Sequence, residues 1–468
     1  MLRRLVPLVL IASLGVAATA RGDVPTFANA VRVPGSSGTT EPRLAIAPDG
    51  TRWIATSASG RLIVLRSSDG ATWTTVTAPA PQNEPSIDVD IAVTPTGRVI
   101  VTELDLAAVS ARVFYSDDKG VSWLPAVVPG GIDQDRQWLA VGPNDSTTGL
   151  PRVYFLWHNF VTGVAAHNMF VATSIDGGAT FLPPVPITQP GSQAWLDLQC
   201  SDSGGPDGLH VDASTGRLFV SWSTRSSATA GGCTAQPLEF NIVFPTRIWA
   251  ATSPDNSLGS WKTSLAVDGS ADGTIVQEQG SVSTIDDGGN MYVFYDRPAT
   301  PGTLAGASLS YTWASSDLSA WSTPVDIVAP GGPGNMHPHP IAGAPGKVEL
   351  AWYSGEVNGS TVDWYVKIAQ SFDALSAAPA WTISDPPGCL IPGCSDRALA
   401  YAGFTADDML GHCSADGDPT GGVQDGLVCG RATDVWGIAL DPQCNFLVAW
   451  AQSNRTFVTR QTGGPTVC

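Results

Sequence analysis

The sequence is short of lysine: four of its 24 basic residues are Lys, and 42 acidic residues set against them leave a net charge of −18. Without Lys and Arg clusters a surface of this sign repels phosphate backbones and anionic lipid, so nucleic acid is not expected as a partner. Charge of either sign is scarce. Only 14% of residues are charged, too few for a helical protein or a coiled coil, where about a quarter would be. Beyond residue 20 no apolar run reaches the ~18 residues that a membrane-crossing helix needs, so no membrane insertion is expected. The motifs H-E-x-x-H, a Walker lysine loop, a G-x-S-x-G elbow and a dinucleotide fingerprint after a strand are all missing.

Turn formers and aromatics are abundant instead. Fifty Gly and 36 Pro make up nearly one residue in five, while 16 Trp, 14 Phe and 8 Tyr supply large apolar surfaces that a disordered chain lacks. The chain opens with Arg3-Arg4, runs through the mostly apolar stretch from Leu5 to Val16 and reaches Ala18-Thr19-Ala20. That order reads as a secretory signal peptide over residues 1–20, cleaved after Ala20, which makes the product extracellular or periplasmic. Eight cysteines, an even count without a CxxC pair, suit disulfides in that compartment. Sequence leaves their connectivity open; Cys200 with Cys233, Cys389 with Cys394 and Cys413 with Cys429 are the local possibilities.

One unit recurs along the chain: Ser-x-Asp, a few small residues, then an aromatic. Clear copies are Ser67-Ser-Asp69-Gly-Ala-Thr-Trp73, Ser116-Asp-Asp118-Lys-Gly120-Val-Ser-Trp123 and Ser174-Ile-Asp176-Gly-Gly178-Ala-Thr-Phe181. Looser copies are Ser253-Pro-Asp255 with Trp261, Ser315-Ser-Asp317 with Trp321 and Ser371-Phe-Asp373 with Trp381. The unit suits a tight corner between strands. Asp accepts from backbone N–H groups just ahead, Gly takes up positive φ and the aromatic plugs into the layer beneath. These six aspartates are therefore read as structural, their bonding capacity being used by the turn.

Alternating apolar runs of strand length precede each corner, such as Arg52-Trp-Ile-Ala-Thr56 and Val153-Tyr-Phe-Leu-Trp157. Four short strands per repeat make the blade of a β-propeller. After the sixth corner comes a loop-like, cysteine-bearing insertion at about 385–434, then three strand-like runs without a corner of their own: 436–440, Phe446-Leu-Val-Ala-Trp450 and Thr456-Phe-Val-Thr459. Phe27 to Val33 supplies the missing fourth strand and closes the ring. The expected fold is thus an all-β, seven-bladed propeller of four-stranded blades, with six blades as the alternative, forming a single domain over 21–468 and expected to be a monomer.

The Ser-x-Asp-x-Gly-x-[Ser/Thr]-Trp box resembles that of the Asp-box (BNR-repeat) family of sialidase-like propellers, and the resemblance spans most of residues 27–462. The family includes hydrolases, lyases and proteins that only bind. The resemblance implies that functional side chains open the innermost strand or close the second strand of each blade, on the face opposite the corners. Openers here include Glu41, Arg43, Glu84, Asp88, Asp90, Asp133, Asp135, Arg136, Asp207, His210, the run 277–279, His337, His339 and Asp434. Closers include Glu103, Asp105, His158, Arg225, Asp296, Arg297, Tyr353, Glu356 and Gln452. A polar, mostly acidic mouth follows, with a merely solvated rim as the alternative.

Hydrolytic sialidases, to which the chain is similar in its repeats, hold a substrate carboxylate with an arginine cluster, attack with a Tyr activated by Glu, and use an Asp as acid/base. A neutral phenol is not repelled by an anionic sugar, and the guanidinium fork gives two parallel hydrogen bonds to a carboxylate. The resemblance maps these roles onto Arg43, Arg136 and Arg297, with Tyr353 as nucleophile, Glu103 as its base and Asp133 as acid. At Arg43 the sequence departs from the family's Phe/Tyr-Arg-Ile-Pro motif, reading Glu41-Pro-Arg43-Leu. His158, His337 and His339 are further ligand-binding candidates, and imidazole also binds metals. Asp416, Asp418 and Asp425 could gather round calcium, but their spacing is not that of an EF-hand, so the segment is read as a disulfide-tied surface loop and no cofactor is expected. The leading expectation is a secreted propeller binding an extracellular glycan or glycoprotein on this face. An exo-α-sialidase-like hydrolase is the alternative, and a non-catalytic surface module the third reading.

Overall fold

The computed structural model describes residues 24–37, 41–79, 85–105, 108–130, 133–159, 167–200, 206, 208–228, 245–253, 259–271, 282–297, 306–388, 397–402, 436–452 and 455–468. The leader, Glu84, Asp207, Asp255, the run 277–279, the calcium candidates, Asp434, and Cys233, Cys389, Cys394, Cys413 and Cys429 lie outside the described residues.

Seven antiparallel sheets form the ring. Their innermost strands are Arg43–Ile46, Pro85–Val93, Asp135–Asn144, His210–Val211, Val282–Ile285, Asn335–Ala342 and Gly437–Leu440, which define blades 1 to 7 in that order. Each inner strand packs beside the next, and that of blade 7 returns to that of blade 1. Second strands such as Val99–Asp105 and Phe446–Gln452 are buried throughout, because the layers of two neighbouring blades cover both of their faces. The apolar runs of the sequence become this core, with Trp53, Trp138, Trp222, Trp352, Trp364, Trp436 and Trp450 buried between blades.

The corners do what their chemistry requires. The Asp69 carboxylate accepts the Ala71 and Thr72 N–H groups at 2.9 and 2.7 Å, and Asp176 accepts those of Ala179 and Thr180 at 3.1 and 2.9 Å. Asp118, Asp317 and Asp373 accept from the Ser122, Ser319 and Ala380 N–H groups in the same way. Gly70, Gly120 and Gly178 adopt positive φ, and Trp73 and Phe181 are buried beneath.

The ring closes as the pattern of strands requires. Val31–Arg32 pairs antiparallel with the third strand of blade 7, Val31 opposite Val458 and Arg32 opposite Phe457, and Thr26–Phe27 continues the edge. The insertion differs from expectation: within its span, Leu399–Ala402 is a fifth strand on blade 6, beside Asp363–Tyr365. There Tyr401 reaches across to blade 7, its hydroxyl donating to the Ala451 carbonyl at 3.3 Å. Cys444 is bonded to Cys468, and Cys200 is disulfide-bonded as well.

Candidate functional site

Inner strands run from the mouth toward the corner face, so their opening residues surround the axis. A cavity of about 220 Å³ lies there, lined by residues of all seven inner strands, among them Arg43, Asp90, Trp138, His210, His339 and Trp436. The Arg43 guanidinium lies 3.9 Å over the Trp138 ring, and its Nε is 3.7 Å from the Asp90 carboxylate. Asp90 also accepts the Ile91 and Leu139 N–H groups at 2.8 and 2.6 Å, which ties blade 2 to blade 3. Burial raises the Asp90 pKa, and Arg43 opposes that shift. Burial first, and then the charge of Arg43, bring His210 down to about 4, so its imidazole is neutral at ordinary pH. His339 is fixed as well. Its Nδ1 lies 3.0 Å from the His337 carbonyl and its Nε2 accepts the Trp436 N–H at 3.2 Å, which sets the neutral tautomer with the proton on Nδ1.

Three inner strands are irregular where they open. The register shifts between Pro85 and Val89, between Asp135 and Trp138, and between Met336 and His339. Bulges of this kind re-aim side chains. Arg136 and His337 sit within them at φ of 51° and 54°, and Asp133 precedes its strand at 61°, conformations that side-chain-bearing residues seldom take. Gln137 holds the bulge of blade 3 by donating from Nε2 to the Asp88 carbonyl at 2.8 Å. The His337 N–H donates to Asp296, a carboxyl that burial pushes well above its ordinary range.

Off the axis, burial pushes Glu103 up to about 7. The charges of Arg112 and Arg61 pull it down, and that of Asp105 on the same strand raises it. On blade 3, His158 lies 3.8 Å from Asp135, and burial together with Arg136 and His167 drives its pKa far down.

Of the six residues mapped to sialidase roles, Arg43 lines the axial cavity and the other five do not. Arg43 belongs to blade 1, Arg136 to blade 3 and Arg297 to blade 5, where both Asp326 oxygens take its guanidinium at 2.9 and 3.0 Å. Tyr353 lies in the core of blades 6 and 7. Its ring packs edge-on against Trp436 at 4.4 Å and its hydroxyl donates to the Ala451 carbonyl at 2.6 Å, three blades round the ring from Glu103. Burial raises its pKa well above that of an ordinary phenol, the opposite of what a nucleophile needs. Among the described residues, His158 of blade 3 and His337 and His339 of blade 6 do not gather into a group that could hold a metal ion. The cavity walls Trp138 and Trp436 were not singled out by sequence reasoning, although Trp138 falls two residues after the opener Arg136.

No protein-family model matches the chain, and no curated protein matches it. Among solved structures it is similar to an α-L-arabinofuranosidase from Fusarium graminearum, at 12% identity over 95% of this chain and 97% of that one, with a TM-score of 0.42. It is similar as well to the NanB sialidase of Streptococcus pneumoniae, at 11% identity over 92% and 70% of the two chains, with a TM-score of 0.42. A leech intramolecular trans-sialidase matches at 11% identity over 96% and 71%, with a TM-score of 0.40.

Proposed function

We propose that the chain is an exported binding protein that takes an extracellular glycan at its axial cavity. The observation that carries this reading is the convergence of Arg43, Asp90, His210 and His339 with Trp138 and Trp436 on one cavity, in a chain of which only 14% is charged. Sugars present hydroxyls that both donate and accept, beside C–H faces that pack on aromatic rings. A guanidinium and a carboxylate 3.7 Å apart meet the first demand, the two buried indoles form part of the wall, and the volume suits a single sugar ring. The leader-like residues 1–20 support export.

The test is a glycan array followed by calorimetry on the best ligand. Arg43→Ala and His210→Ala are expected to weaken binding at least tenfold, whereas Asp176→Ala on the opposite face leaves it unchanged. An array without a ligand, or a ligand indifferent to both cavity variants, overturns the proposal.

One observation favours a second reading, a glycoside hydrolase that does not use the tyrosine. A carboxyl at about 7 beside the Asp105 carboxylate is matched to proton transfer near neutral pH, and glycoside hydrolysis uses two carboxyl groups. Turnover of a fluorogenic glycoside, lost in Glu103→Gln, is its expected result; a panel including a sialoside without turnover removes it.

A further inference from the structure

Residues Gly464–Cys468 form a strap beneath blades 6 and 7. The strap leaves the third strand of blade 7 at Gly464, whose φ is 86° and where a Cβ would meet Pro25, and it ends at Cys468, bonded to Cys444 in the inner turn of the same blade. Between these points it crosses to blade 6. The Ala344 N–H donates to the Val467 carbonyl and Lys347 Nζ to the Cys468 carbonyl, each at 2.8 Å, and Val467 is fully buried. Gly343 makes room for it: a Cβ there would lie 2.5 Å from the Val467 oxygen.

A buried polar relay backs the strap. Gln461 Nε2 donates to the Pro465 carbonyl at 2.7 Å, and Gln370 Nε2 donates both to that carbonyl, at 3.1 Å, and to Glu349 Oε1. Glu349 is 0% exposed, and neither its Oε2 nor Gln370 Oε1 has a hydrogen-bond partner among the described residues. As a carboxylate, Glu349 would hold an uncompensated anionic oxygen in a buried interior beside a second unsatisfied acceptor. As a carboxylic acid it contributes the O–H donor that this cluster of acceptors lacks. Burial accordingly pushes Glu349 up to about 8, with Gln370 opposing. The charged groups at this end of the neighbouring elements are engaged elsewhere. Lys347 serves the strap, Asp373 its corner, Asp286 the Tyr292 hydroxyl and the Gly346 N–H, and Arg460 turns toward Gly70 of blade 1.

We propose that Glu349 is a neutral carboxylic acid in the closed ring and that its ionisation releases the strap, making the seam between blades 6 and 7 a proton-controlled closure. With the strap open, Glu349 ionises near the ordinary 4.5; with it closed, the proton stays on up to about 8. Between those values closing takes up a proton, so the hold weakens as pH rises from about 5 to about 8 and levels off beyond.

Amide hydrogen exchange, corrected for its intrinsic pH dependence, reads this at Ala344, whose N–H reports strap contact. Its protection is expected to fall at least tenfold between pH 6 and pH 8 in the wild type. In Glu349→Gln, which cannot ionise, protection is expected to stay flat. Glu349→Leu is a second non-titrating variant should the first fail to fold. Wild-type protection that does not change with pH, or a non-titrating variant that keeps the fall, overturns the proposal.

Discussion

Arg43 and Trp138 meet across the propeller axis: the guanidinium of blade 1 lies 3.9 Å over the indole of blade 3, with the Asp90 carboxylate of blade 2 alongside. This contact places a fixed positive charge inside the cavity and governs the groups around it.

His210 is the first of these groups. In the wild type its imidazole is expected to titrate near pH 4 by NMR. Arg43→Gln removes the charge but not the burial, so the midpoint should move up while staying below the ordinary 6.5. An unchanged midpoint would mean that Arg43 exerts no field on His210.

Glu103 bears on stability. It keeps its proton up to about 7 when folded and loses it near 4.5 when unfolded, so the folded state binds more protons between those values and stability falls as pH rises. Glu103→Gln should flatten that part of a melting-temperature profile, by an amount corresponding to at most ~3 kcal/mol. Profiles of equal slope in the two proteins would contradict the assignment.

Tyr353→Phe separates a structural tyrosine from a catalytic one. Loss of the hydroxyl bond to Ala451 should cost roughly 0.5–1.5 kcal/mol, moderated because Tyr401 donates to the same carbonyl. Ligand affinity and any glycosidase turnover should not change. A variant of normal stability that has lost function would return the residue to the site.

The closing strand can be tested by truncation. A chain beginning at Gly35 loses Phe27 and Val33 from the core and leaves the third strand of blade 7 as an open edge. Its melting temperature should drop by several degrees and its tendency to aggregate should rise. Full retention of stability would show that the strand is dispensable.

The blades, the corners and the closing strand were legible because each rests on a local signal: alternation, a Ser-x-Asp turn, a run of β-branched residues. The face of each site residue was not. Arg297 directly follows Asp296 on one strand, so the pleat sends the two side chains to opposite faces, one toward His337 and the other to Asp326. Bulges at Arg136 and His337 reset that parity again, and an extra residue in a strand leaves no composition signal. Tyr353 closes an exposed-looking pattern, yet Tyr401, supplied by the insertion, helps bury it. Leu399–Ala402 was hidden for a related reason: four apolar residues in a cysteine- and glycine-rich stretch do not by themselves announce a strand.

The closing strand also dictates an order of assembly. Thr459 donates to the Ala28 carbonyl across 431 residues of chain, whereas the hairpins of blades 1 to 6 join neighbours in sequence. As the polypeptide emerges during synthesis, those six blades can form one after another, but the segment made before all of them waits for its partner until the final blade arrives. The ring therefore stays an open arc for nearly the whole of translation, its end blades each lacking the neighbour that covers one apolar face. That interval, not the finished propeller, is when the protein is most exposed to association through those faces.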